Sequence, residues 1–349
     1  MKRYRSILVV ILTLALILGL ISCSSQTPST PSSGTNSTSA ADTTPDSGEN
    51  PSPVELVVAA SHSAGTMYLW CVTVAELVNK YSEWLTLTPI TTLGSTENIE
   101  LVHVGDAQLG GVPATTFYMA YEGEGGDWVD NAYHELRSVY ASVPGYFQIM
   151  APGNSDINTI ADLEGKRVAF GVRGSGGEDI VKFWFKCLGI DANSFLDINY
   201  ISASDSVTAI QEGTLDAFVF TGGIGASVGL ELAASPVGLK LISLSDEEVA
   251  LLTANDPADH PQVIPAGSYP GVDYEVNTVG NSAVIVTTAD IPDRAIYEMC
   301  RIIDEHYDEI ADHNATAYST AEHTVGDWYG SLPMHPGAEQ YFRDKGLIP

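Results

Sequence analysis

An α/β fold built as two doubly wound lobes is predicted for this 349-residue chain from three observations. Short β-branched runs alternate with helical segments from Val54 onward, the βαβ rhythm of a parallel sheet wrapped by helices. The rhythm starts again after the turn at Asp162-Leu-Glu-Gly-Lys-Arg167. Loops after the strands are built from Gly, Ser and Thr, as expected where strands hand over to helix N-termini.

The elements follow in order. Residues 54–60 read as a strand, 61–65 as a small-residue loop and 66–81 as a helix. A second strand covers 85–91, and Gly94-Ser95 caps a helix over 96–104. Residues 108–112 form a third strand, and 136–142 and 146–151 a fourth and fifth, separated by Val143-Pro144-Gly145. In the second unit, a strand over 168–172 leads through Arg173-Gly-Ser-Gly-Gly177 into a helix ending near Leu188. A strand over 198–201, a helix over 205–212 capped by Ser204, and a strand over 215–221 ending at Gly222-Gly223 come next. A late strand over 283–287 and an amphipathic helix over 293–306 close the pattern. No sequence repeat links the two units beyond their rhythm.

Residues 1–22 carry the features of an export signal. Lys2, Arg3 and Arg5 precede an apolar run over 7–21, too short for a comfortable permanent span. The run ends in Leu20-Ile21-Ser22-Cys23, which resembles the bacterial lipobox and implies cleavage before a lipid-bearing Cys23; the alternative is a signal anchor with an incidental Cys. Residues 23–53 are Ser, Thr and Pro-rich without aromatics, a tether that cannot bury apolar area. The expected location is extracytoplasmic, held to a membrane by the lipid.

Composition narrows the partners. The chain has 15 Lys+Arg against 44 Asp+Glu, a formal charge of −29, so nucleic acid, which needs a basic surface, is excluded. With 44% hydrophobic and 17% charged residues the chain has enough apolar material for a core. Cys71, Cys187 and Cys300 stand far apart in apolar stretches without ligand spacing, which predicts buried thiols and no metal or redox site.

In open parallel sheets ligands bind beyond the carboxyl ends of strands. Five small-residue loops lie there, over 61–66, 93–95, 110–116, 171–177 and 221–225, and their free N–H groups with the helix dipoles favour an anion. Each alone is also explained as a tight turn or cap. Arg173 is either a bidentate carboxylate clamp or a surface arginine paired with Glu178 or Asp179. His62, Tyr68, Tyr118 and Tyr146 are possible polar contacts, equally suited to core or rim.

No enzyme is predicted. Gly225-Ala-Ser227-Val-Gly229 matches the GxSxG pattern, but the strand before it ends near Thr221, which places Ser227 within the following helix instead of on a nucleophile elbow. The 171–177 loop is neither GxGxxG nor a P-loop, no HExxH is present, and His306 and His313 lack ligand spacing, so no cofactor or metal is expected.

Several segments are similar to the TAXI family, the extracytoplasmic solute receptors of one branch of TRAP transporters. They are Ser-Ala-Gly-Thr-Met-Tyr (63–68), Leu-Gly-Ser-Thr-Glu-Asn (93–98), Ala-Gln-Leu-Gly-Gly-Val-Pro-Ala-Thr (107–115) and the stretch over 162–176. Gly-Thr-Leu-Asp-Ala-Phe (213–218), Ile-Pro-Ala-Gly-Ser-Tyr-Pro-Gly-Val-Asp (264–273) and Leu-Pro-Met-His-Pro-Gly-Ala-Glu-Gln-Tyr-Phe (332–342) complete them. The resemblance implies a type II periplasmic-binding-protein fold of two lobes joined by a hinge, 54–143 with 283–349 and 144–282. It implies a monomer that captures a small organic anion, such as glutamate or a related dicarboxylate, for a fused, ion-gradient-driven TRAP permease. Contact positions carried over are Gly65, Thr66, Tyr68, Ser95, Thr115, Gly174, Ser175 and Gly176. The chain departs from the family in Ser61-His62-Ser63-Ala64, where a glycine-rich stretch is usual, and in Arg173, where a small residue or proline is common; both bear on which solute fits. A sensory receptor handing its closed lobes to a histidine kinase is the alternative from another class.

Overall fold

The computed structural model describes residues 52–61, 66–312, 319–328 and 332–349. The export signal, Cys23, nearly all of the tether, His62, Gly65 and His313 lie outside the described residues.

The first half opens with β1 (Val54–Ala59), α1 (Thr66–Tyr81), β2 (Leu85–Ile90), α2 (Ser95–Val104), β3 (Leu109–Pro113) and α3 (Ala114–Glu122). β1 pairs in parallel with β2 on one side and β3 on the other. A long strand, β4 (Leu136–Pro152), then carries the chain into the second half. There β5 (Arg167–Ala169), α4 (Gly176–Cys187), α5 (Ala192–Phe195), β6 (Asp197–Asn199), α6 (Ala203–Gln211) and β7 (Ala217–Gly222) repeat the arrangement, with β5 parallel to β6 and β7. After α7 (Ser227–Ala234), β8 (Leu239–Ile242), α8 (Asp246–Asn255) and β9 (His260–Ile264), a second long strand, β10 (Val276–Thr288), returns to the first half. α9 (Asp293–Glu305), α10 (Tyr307–Asp312), α11 (Ala321–Trp328) and α12 (Pro336–Asp344) finish the fold.

The sheet order β2-β1-β3-β10-β4-β7-β5-β6 shows what the long strands do. β10 lies antiparallel against β3 through Ala283–Val286, and β4 lies antiparallel against β7 and β8 through Tyr146–Pro152. Each half is thus a parallel trio completed by an antiparallel strand that also serves the other half. This is the type II periplasmic-binding-protein arrangement expected from the sequence, with helices on both faces of an α/β sheet. At ~3.3 Å per residue, a 17-residue strand such as β4 reaches roughly 55 Å, enough to run through both halves.

β4 corrects the expectation of two separate strands over 136–142 and 146–151. Pro144 and Gly145 do not end it, because β10 runs alongside with register shifts near Ser282 and Val284 that absorb the missing N–H and the bend. β10 likewise starts at Val276 instead of 283, its first half being secured by β9. The two strands press together where they cross: a Cβ at Gly280 would run into the Gly145 carbonyl oxygen. The expected Ser204 cap moves to Ser202, whose hydroxyl accepts the Asp205 N–H at 3.1 Å and starts α6 at Ala203.

One apolar core runs through both halves, joining Ile99, Phe117 and Leu136 to Phe147, Phe170 and Phe185. A second packs α1, α9 and α12 against the first half, and a third fills the second half around Phe218 and Tyr269. Cys71, Cys187 and Cys300 are buried and unbridged, and burial raises all three thiol pKa values, Cys71 and Cys187 to about 12. Among the described residues, no helix is long and apolar enough to cross a membrane.

Candidate functional site

Each helix begins with N–H groups that have no partner within the helix, and an acidic side chain in the first turn answers them. α2, α4, α6, α8, α9, α11 and α12 all carry such an acid. α1, α3 and α7 carry none, and neither α3 nor α7 has a side-chain cap. These three helices start at the carboxyl ends of β1, β3 and β7, and their starts meet at one cavity.

The cavity has a volume of about 590 Å³. The first half contributes Thr66 and Met67 at the start of α1, Pro113 before α3, and Ala283 of β10. The second contributes β7 from Phe220, the loop over 223–226 and Ser227 at the start of α7, with Ile180 and Trp184 from α4. Val143, Pro144, Gly145 and Asn281, from the crossing of the long strands, form the wall between them. Among the described lining residues no side chain is ionisable. The polar groups facing the space are hydroxyls, the Asn281 amide and main-chain groups.

A buried network fixes this lining from behind. Asn281 Nδ2 donates to Thr115 Oγ1 at 2.9 Å and to Asp259 Oδ1 at 2.6 Å, while Trp184 Nε1 donates to Asp259 Oδ2 at 2.5 Å. Thr115 Oγ1 donates to Asp256 Oδ2 at 2.6 Å. The two aspartates sit between α8 and β9, almost fully buried. Desolvation raises both carboxyl pKa values, Asp256 to about 6 and Asp259 well above the ordinary carboxylate range, with repulsion from Asp256 as its next cause. On the other side, Tyr269 donates to Gln148 Oε1 at 2.8 Å, and Gln148 Nε2 donates to the Gly222 carbonyl at 2.9 Å. The Tyr269 hydroxyl also faces the N–H groups of Gly225 and Ala226. Gln148 and Tyr269 therefore hold the loop between β7 and α7 in shape.

A family model described as the NMT1-like family matches residues 58–346, nearly the whole described chain. The chain belongs to the NMT1-like family. Among solved structures it is similar to the periplasmic aliphatic sulphonate binding protein SsuA from Escherichia coli, at 16% identity and a TM-score of 0.43, covering 85% of this chain and 89% of that one. The alkanesulfonate-binding protein SsuA from Xanthomonas axonopodis pv. citri, bound to MOPS, matches at 14% identity and a TM-score of 0.42, covering 86% of each chain. The GluR0 ligand binding core in complex with L-glutamate matches at 11% identity and a TM-score of 0.44, covering 76% of this chain and 97% of that one.

The contact positions expected from sequence separate in this NMT1-like protein. Thr66 lines the cavity; Thr115 lies one layer behind it, bonded to Asn281 and Asp256. Tyr68 packs against the core beside α1, and Tyr118 tilts against Phe183. Ser95 and Gly176 touch each other away from the lining, a Cβ at 176 falling 2.9 Å from Ser95 Cβ. Ser175 caps α4 by accepting the Glu178 N–H at 3.3 Å, and Glu178 Oε2 accepts the Gly174 N–H at 2.6 Å. The anion receptor expected in this loop is thus already filled by the chain's own carboxylate. Glu97 does the same for the second loop, accepting the Leu93 N–H at 2.5 Å. Arg173 is exposed and stacks 3.7 Å above the Tyr200 ring, and Glu178 pairs with Lys182 instead.

Ser227 is the first residue of α7, separated from the end of β7 by Gly223-Ile224-Gly225-Ala226, so the strand–nucleophile–helix elbow is not formed. Asn281, Trp184 and Ala226 are lining residues that the sequence reading passed over, whereas the loop over 221–225 was among its five ligand loops. The signal available was the missing acid in the first turns of α1, α3 and α7.

Proposed function

We propose that this chain is an extracytoplasmic solute receptor of the TAXI type, anchored through Cys23, which takes a small organic anion into the cavity between the two halves and presents it to an ion-gradient-driven TRAP permease. The observation that carries the reading is the meeting of three helix N-termini, none with an acid of its own, on one cavity at the carboxyl ends of the strands. Residues 54–143 with 283–349 form one lobe and 144–282 the other, and the crossing of β4 and β10 is the hinge. Closure shifts toward the ligand-bound form by the difference in affinity between the open and closed states.

A thermal-shift screen of carboxylates and amino acids tests the reading. A solute that binds only the folded protein stabilises it by RT ln(1 + [L]/Kd), about 2.7 kcal/mol at a hundredfold excess over Kd, which raises the melting temperature by several degrees. No shift with any small organic anion would refute the anion receptor.

A further inference from the structure

We propose that the solute is a monoanion with an apolar body, its single acid group held by main-chain N–H groups at the starts of α3 and α7 and its body lying against Trp184, Ile180 and Phe220. This rests on the receptor reading above and narrows it to a substrate class.

Three features of the cavity carry it. The described lining residues carry no Arg, Lys or His, and at their surface an acid group meets N–H donors and helix dipoles. The remaining lining is largely apolar: Met67, Val143, Ile180, Trp184, Phe220 and Ile224. Such a surface rewards burial of hydrocarbon. Behind Asn281 and Trp184 lies the buried Asp256–Asp259 pair, which also accepts the Thr115 hydroxyl, so this wall supplies carboxylates and no cation to a second acid group.

The α7 contribution is separable from folding. Ser227 stands at the first helical position after Ala226 at φ −55° and ψ 142°, a conformation compatible with a following proline. Proline at this position suits a helix and removes one N–H group. Ser227→Pro therefore deletes a donor, whereas Ser227→Ala deletes only the hydroxyl.

Calorimetry at pH 7.5 with phenylacetate and hexanoate against succinate and L-glutamate tests the class. Expected is binding of the monocarboxylates at least tenfold tighter than the dicarboxylates, and a loss of phenylacetate affinity in Ser227→Pro at least tenfold greater than in Ser227→Ala. Tighter binding of succinate or glutamate overturns the monoanion class and leaves the receptor standing, whereas binding of none of the four overturns both. Unchanged phenylacetate affinity in Ser227→Pro overturns the role of α7. If that variant does not fold, the wild-type amide resonances of residues 227–229 decide: downfield shifts on adding phenylacetate support the site, and unmoved resonances overturn it.

Discussion

The aspartate pair behind the cavity has a measurable cost. Asp256 accepts hydrogen bonds from the Thr115 hydroxyl at 2.6 Å and the Ala258 N–H at 3.0 Å, and Asp259 from Trp184 and Asn281, yet none of these donors is a cation. Burial therefore wins and raises the Asp256 pKa from 3.8 to about 6. A carboxyl whose folded pKa lies above its unfolded one retains its proton longer when folded. Its contribution to stability is greatest below 3.8 and is lost as pH rises through about 6. A shift of about two units corresponds to roughly 3 kcal/mol in full, of which about 2 kcal/mol falls between pH 4.5 and 7.5. The perturbation is Asp256→Asn and the assay is urea unfolding of both proteins across that range. The changed hydrogen bonds to Thr115 and Ala258 appear as a constant offset, groups remote from Asp256 cancel in the difference, and Asp259, freed from the repulsion of Asp256, adds to it in the same direction. The variant should gain about 2 kcal/mol relative to wild type on going from pH 4.5 to 7.5. A flat difference, or one with the opposite slope, refutes the argument that desolvation outweighs the four hydrogen bonds.

Three further outcomes follow from the geometry. Tyr269→Phe strands Gln148 Oε1 and loosens the loop over 222–226, so stability in urea should fall by about 1–3 kcal/mol and phenylacetate affinity by around tenfold; a loss of stability alone would make Tyr269 merely a core residue. Arg173→Ala removes an exposed stack on Tyr200 worth about 0.5–1 kcal/mol and should leave calorimetric affinity within twofold, whereas a tenfold loss would place Arg173 on the solute. Gly280→Ala forces a Cβ against the Gly145 carbonyl where the long strands cross, and should lower stability by about 1–3 kcal/mol, read as a drop in melting temperature.

The α/β class and the parallel trios were legible because hydrophobic period and small-residue loops are local signals. The long strands were not, since Pro144-Gly145 and Gly280-Asn281 have the composition of breaks. What keeps them extended is pairing with residues more than a hundred positions away in the chain, such as Tyr146 with Gly280. The same limit hid the support of the site: Tyr269 meets Gln148 at a separation of 121 residues, and Thr115 meets Asp256 at 141. The loop over 171–177 was misleading for a different reason. Ser175-Gly-Gly-Glu178 is a serine followed three residues later by a glutamate, the pattern that supplies a helix with its own anion. Read with the glycines, that pattern marks the loop as the self-capped start of α4.

The chain's acidity acquires a role at this level. At a formal charge of −29 the overall field repels an organic anion, so capture of one, as proposed, would rest on short-range elements, and salt shortens the repulsion to about 8–10 Å. Helix N-termini are such elements, but with twelve described helices most of them would bind anions away from the cavity. Here the acids are distributed so that every described helix of eight or more residues outside the cavity already holds a carboxylate in its first turn, as Glu178 does for α4 and Glu248 for α8. The starts of α1, α3 and α7 alone are left for a solute. Placing an acid at one of them, as in Ser227→Asp, should therefore fill the site from within. The variant should keep its stability, because an acid near a helix start is favourable by about 0.3–1 kcal/mol, and should lose phenylacetate binding by more than tenfold in calorimetry. Retained affinity in a folded Ser227→Asp protein would show that the solute does not use the α7 terminus.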